Sequence, residues 1–158
     1  MGFFVQESND ILMSQKEKHR QDGRQCAALP LMERDGETWV LMVTSRERRR
    51  WVLPKGWTEK RMAPHEAAAV EAYEEAGIRG AVKAEPVGAY VYSKQLGAGR
   101  SVTCQVDVFP LRVEQLLDDW PEKHERERRW FTLPQAAQAV EEGSLVNLFL
   151  KLAAAPVA

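Results

Sequence analysis

The sequence predicts an α/β fold in which a mixed β-sheet lies between helices. Three observations carry that prediction. Apolar and polar residues alternate as in strands, most clearly along 102–108, a helical pattern interrupts the strands at 64–76, and two further helical patterns close the chain after residue 132. Strands, helix, strands and helices in that order pack as layers, because each sheet face and each helix stripe must be buried against another element.

A chain of 158 residues suits one domain, able to bury about 70% of its unfolded surface without covalent staples. Hydrophobic and charged fractions of 44% and 28% are those of a soluble globular protein. The net charge of −1 argues against whole-molecule steering toward nucleic acid or membrane, so neither partner is expected. No apolar run reaches the ~18 residues that span a bilayer, and Gln6, Glu7, Asn9 and Asp10 break any signal-peptide pattern, so the expected location is the cytoplasm. Cys26 and Cys104 lie in apolar stretches without metal-ligand spacing and are read as reduced core residues.

Residues 1–22 read as an appendage whose basic Lys18 and Arg20 are taken as solvated, 23–153 as the domain, and 154–158 as a short tail. Arg24 to Met32 reads as a largely buried strand, with Pro30 arguing for an edge or a bulge, and Arg24 as a candidate phosphate contact. Asp35-Gly36 is a hairpin signal ahead of the strand 38–44. Arg46, Arg48, Arg49 and Arg50 then form a basic loop before Trp51-Val-Leu-Pro54. Guanidinium groups bind phosphate oxygens in pairs, which makes Arg46 and Arg50, with Lys55, candidate substrate contacts.

The helical stretch opens with Pro64 and ends at Gly77, the residue that most readily takes a left-handed cap. Its spacing puts Glu71, Glu74 and Glu75 on one face and Ala69, Ala72, Tyr73 and Ala76 on the opposite, packing face. Like charges a turn apart repel, and a hard divalent cation with oxygen ligands relieves that repulsion. An acidic helix face is by itself a weak signal, more often a solvated surface than a metal site.

Downstream, Val87, Ala89 and Val91 alternate with Gly88, Tyr90 and Tyr92, and after the turn at 96–99 Val102, Cys104, Val106 and Val108 alternate with polar residues as the second arm of an antiparallel hairpin. Lys94 and Arg100 flank its tip as candidate polyanion contacts. The charged connection 122–129 holds Glu125 and Glu127, read either as an extra carboxylate for the site or as partners of Arg126, Arg128 and Arg129. A short strand at Trp130-Phe131 and helices at 133–140 and 144–155 complete the chain.

Gly56, Glu71, Glu74, Glu75, Gly77 and Ile78, entered through Trp51-Val-Leu-Pro-Lys-Gly56 and followed by Glu127-Arg-Arg-Trp130-Phe131, resemble the Nudix box and its flanks. The resemblance implies the Nudix α/β/α sandwich over roughly 23–153. It also implies hydrolysis of a diphosphate linkage by a metal ion, magnesium with manganese able to substitute, held by Glu71, Glu74, Glu75 and the Gly56 carbonyl. Glu71 or Glu74 would be the base, with Glu127 behind them. Met62 stands where the box has a glutamate, Val70 where it has an arginine, and Ala72 where it has a larger aliphatic residue. The exchange at 62 and 70 is read as two charged supports replaced together by apolar packing, with Glu59 or Glu66 as substitute carboxylates.

Within the superfamily the layout is similar to the diphosphoinositol-polyphosphate phosphohydrolase group, which implies a small-molecule polyphosphate substrate, an inositol pyrophosphate or a diadenosine polyphosphate, and a monomer or homodimer. The rival reading is a non-catalytic Nudix domain that binds or senses a nucleotide, and Met62 and Val70 are the features that favour it.

Overall fold

The computed structural model describes residues 23–155. The appendage at 1–22, with Lys18 and Arg20, and residues 156–158 of the tail lie outside the described residues. The elements run β1 (Arg24–Arg34), β2 (Glu37–Thr44), β3 (Trp51–Val52), β4 (Lys55–Trp57), α1 (Pro64–Ala76), β5 (Ile78–Val82), β6 (Gly88–Gly97), β7 (Arg100–Leu116), β8 (Arg128–Thr132), α2 (Leu133–Ala139) and α3 (Gly143–Ala154).

The strands form one mixed sheet. β1 pairs parallel with β7 from Arg24–Gln105 to Leu31–Arg112, and the other pairings, including β6 and β5 on β7 and β8 and β3 on β2, are antiparallel. Alternation along β1 and β2 sends successive side chains to opposite faces. Ala27, Leu29, Val40 and Met42 join Phe149, Leu145 and Ala136 beneath α2 and α3. Cys26, Ala28, Leu41 and Val43 join Ala68, Ala72 and Ala76 beneath α1. The α/β class with helices on both faces is the predicted architecture.

Pro30 is neither at an edge nor in a bulge. β1 has β4 beside its first half, up to Ala27–Lys55, and β2 beside its second half, from Leu31–Val40. Pro30 sits at that handover, where a missing N–H breaks no ladder. The turn at Asp35-Gly36 has φ of 53° and 76°, and Ala98-Gly99 has 51° and 73°, the left-handed pair that two-residue hairpins require. On β6 the inward residues are Tyr90 and Tyr92, while Val91 is about half exposed at 49%. Cys26 and Cys104 are buried free thiols, as read from the sequence.

Helix α1 packs through its smallest residues. Ala67, Ala68, Ala72, Glu75 and Ala76 are its buried positions, so Tyr73, expected on the packing face, is displaced to the exposed side, where Arg79 lies 5.2 Å from its ring centroid. The helix ends as predicted: Gly77 adopts φ 65° and ψ 38° and its N–H returns to Tyr73 O at 3.0 Å. A Cβ there would come within 2.8 Å of the Trp120 ring. Arg128 closes the same end, donating to Ala76 O and Leu117 O at 2.8 Å each while its guanidinium lies 4.0 Å from the Trp120 ring centroid. A cation at a helix C-terminus opposes the negative end of the dipole.

Candidate active site

The close packing of α1 on the sheet brings its carboxylates to the short strand β4. Gly56 in β4 lies so near Glu71 that a Cβ would fall 2.2 Å from Glu71 Oε1. Only glycine leaves that carboxyl its place. One residue earlier, the Lys55 N–H donates to Glu75 Oε2 at 3.2 Å. Beneath them the Cys26 thiol donates to the Gly56 carbonyl at 3.7 Å. Burial and the charge of Glu71 push that thiol up to about 12, so it stays protonated.

Glu71 and Glu75 meet on one side of a cleft of about 900 Å³. Burial first, then the charges of Glu75, Glu74 and Glu122 and a hydrogen bond to Glu75, drive the Glu71 carboxyl far above the usual carboxylate range. Burial also raises Glu75, opposed by the nearby cations Arg126 and Lys55. Arg126 is nine-tenths buried and stands between carboxylates: Nη2 is 3.6 Å from Glu75 Oε1 and 3.0 Å from Glu122 Oε1, and Nη1 donates to Thr44 O at 3.1 Å. The Glu75 backbone is fixed separately by Trp120, whose indole N–H donates to its carbonyl at 3.1 Å.

Of the residues proposed from sequence, Arg46, Arg50, Lys55, Gly56, Glu71, Glu75 and Lys94 all line the cleft. Glu74 is on its flank: its carbonyl accepts the Glu122 N–H at 3.0 Å, and its side chain is not among those facing the cavity. Arg24 and Arg100 also lie outside it. Arg24 instead accepts the Thr58 N–H through its carbonyl, at 3.3 Å, on the cleft's margin. Lys94 rests 5.2 Å from the Trp57 ring centroid, and Lys55 Nζ 5.1 Å from that of Tyr92. Burial pulls the Lys55 pKa down, against the raising effect of Glu75.

Glu122 and Arg126 also line the cleft, and neither is singled out by the sequence as a site residue. Glu125 and Glu127 were the candidates for an extra carboxylate, and neither lines the cleft. Their expected arginine partners are engaged elsewhere, Arg126 with Glu75 and Glu122, Arg128 with carbonyl oxygens, and Arg129 with the Trp51 ring at 4.9 Å. The usable signal was the i,i+4 spacing of Glu122 and Arg126.

Among the described residues no three His, Cys, Asp or Glu side chains are drawn together as a finished metal cage. The donor chemistry nevertheless fits a hard divalent ion. Glu71 and Glu75 are hydrogen-bonded in the buried part of the cleft, Glu74 and Glu122 are within electrostatic reach, and the Gly56 backbone packs directly against Glu71. A divalent cation beside Glu71 and Glu75 would offset the burial and the like-charge repulsion that raise Glu71.

The sequence profile of the NUDIX domain matches residues 22–149. The chain belongs to the Nudix family. It is 38% identical over 102 residues to Nudix hydrolase 12, mitochondrial, of Arabidopsis thaliana, covering 63% of this chain and 50% of that one. It is 32% identical over 111 residues to mouse diphosphoinositol polyphosphate phosphohydrolase 3-alpha, covering 69% of this chain and 63% of that one. The chain thus spans about half the length of the plant relatives. Among solved structures, a Caenorhabditis elegans Ap4A hydrolase binary complex superposes with a TM-score of 0.62 at 17% identity, covering 83% of this chain and 95% of that one. The Escherichia coli dihydroneopterin triphosphate pyrophosphohydrolase gives 0.62 at 15% identity, with 84% and 95% covered. These two likenesses speak for the fold.

The two departures from the Nudix box that remove a charge sit differently. Met62 is partly buried against the core under α1, whereas Val70 is 38% exposed and belongs to neither apolar cluster, so paired apolar replacement describes only position 62. Glu59, one proposed substitute carboxylate, lines the cleft, and Glu66 does not. Among the described residues no helix is long and apolar enough to cross a membrane.

Proposed function

We propose that this Nudix domain is a divalent-metal-dependent hydrolase that cleaves a diphosphate linkage in a nucleoside or inositol polyphosphate. The observation that carries the reading is the Glu71–Glu75 pair, two carboxyls held together in a cleft otherwise rich in cations. Eight lysine and arginine side chains line it against five glutamates, and Arg46 and Arg48 are exposed at its wall. Such a cleft lowers the repulsion a polyanion meets on approaching the carboxylates. The names of the mouse relative and of the nematode neighbour agree with inositol pyrophosphates and diadenosine polyphosphates as the substrates to try first.

Glu71, Glu75, Glu122 and the Gly56 carbonyl would hold the ion, magnesium or manganese, with Glu74 contributing charge from outside the cleft. Bound there, the ion supplies charge neutralisation for the diphosphate and lowers the pKa of water. Arg46, Arg50 and Lys94 bind the flanking phosphates and fix the substrate in line. Glu71, facing the cleft, would accept the proton of the attacking water. The new P–O bond forms as the anhydride P–O bond breaks, and its electron pair leaves with the departing phosphate. Arg126 holds Glu75 and Glu122 in place through the cycle.

The test is incubation with diadenosine tetraphosphate, an inositol pyrophosphate, ADP-ribose and nucleoside triphosphates in the presence of magnesium, for wild type and Glu75→Gln. Turnover of at least one substrate by wild type, falling by about 10²-fold or more in the variant, supports the hydrolase. Binding without product across the panel replaces it with a nucleotide sensor.

A further inference from the structure

A second cavity, of about 670 Å³, opens on the other side of Arg126. Its walls carry Arg49, Lys123 and Arg129 as well as Arg126, against the single carboxylate of Glu127. The partners of the first three are neutral. Arg49 donates to the Glu125 carbonyl at 3.1 Å and to the Thr44 hydroxyl at 3.5 Å. Lys123 donates to the Asp118 carbonyl and lies 5.8 Å from the Trp120 ring centroid, and Arg129 stacks on Trp51. None of the three has a carboxylate oxygen within salt-bridge distance among the described residues.

The basic loop that looked continuous in sequence is divided between the two cavities. Arg46, Arg48 and Arg50 line the catalytic cleft, while Arg49 lines only the second cavity. The division has a backbone cause, a φ of 55° at Arg49, which a non-glycine residue adopts at a cost. Three cations turned toward one concavity with neutral partners repel one another, and an anion with several acceptor oxygens satisfies them together.

We propose that this cavity is a second anion site, built for a phosphate group and separate from the Glu71–Glu75 cleft. Arg126 forms a wall of both, so an anion here draws on the guanidinium that steadies Glu75 and Glu122, and occupancy of either site changes affinity at the other by the same factor. The phosphate is either free or the far end of a polyphosphate whose near end lies in the cleft. The site stands on cavity and charge alone, independently of the proposed hydrolysis.

Calorimetric titration in EDTA, with orthophosphate and with tripolyphosphate, tests it without turnover. Wild type is expected to bind, and Arg49→Gln/Arg129→Gln to bind at least tenfold more weakly. Arg49→Lys/Arg129→Lys keeps the charge and should retain binding, which separates loss of the site from loss of the fold. Orthophosphate affinity kept in Arg46→Gln/Arg48→Gln assigns a self-contained phosphate site. Tripolyphosphate binding weakened by both glutamine pairs, with no orthophosphate binding, assigns a subsite reached from the cleft. Wild-type affinity in Arg49→Gln/Arg129→Gln, or no binding of either anion by wild type, overturns the proposal.

Discussion

Burial, reinforced by the charge of Glu75, holds the Glu71 carboxyl protonated well above the range of a free glutamate. Glu71 keeps its proton up to about pH 8, whereas a glutamate in the unfolded chain loses it near 4.5. Between those values the folded state binds more protons than the unfolded one, so stability is highest below the lower value and falls as pH rises toward the upper. The melting temperature of the metal-free protein should therefore decline from about pH 5 to about pH 8. Glu71→Gln should flatten that slope, and an unchanged slope would remove Glu71 from the account. Activity separates the three box glutamates further. Glu71→Gln and Glu75→Gln should each lose about 10²-fold or more in kcat, whereas Glu74→Gln, whose side chain lies outside the cleft, should lose less than about tenfold. Equal losses in all three would return Glu74 to the ligand set.

The element that matters most is α1, because its two ends and its alanine face fix where the glutamates stand. Gly77→Ala must hold a left-handed φ and press on Trp120 and should cost about 1–3 kcal/mol in urea unfolding. Arg128→Met removes two charge-assisted bonds to carbonyls at the helix end and should cost about 2 kcal/mol or more. A change below about 0.5 kcal/mol in either would mean that this clamp contributes little. This helix was legible in sequence because Pro64, Gly77 and the period of its glutamates are local signals. Its packing side was misjudged at Tyr73, since an alanine-rich helix has a weak apolar stripe and close approach to the sheet favours the smallest residues. β4 escaped notice because three residues give no period, and its strand identity comes from pairing with Gln25–Ala27.

Across the molecule, the fold follows from the order of strand and helix patterns, and the cleft follows only in part. The cleft gathers β4, α1, the arginine loop, the β6 arm and the connection after β7, segments whose meeting no local pattern announces. Glu122 and Arg126 belong to that class, since a run of mixed charges reads as solvent-facing until tertiary packing buries it. The central claim is that the Glu71–Glu75 pair is a place for a divalent ion. Electron paramagnetic resonance of Mn²⁺ titrated into wild type and into Glu71→Gln/Glu75→Gln measures this directly. Wild type is expected to take up the ion and the double variant to lose that uptake. Equal uptake by both proteins, or none by wild type, would contradict it.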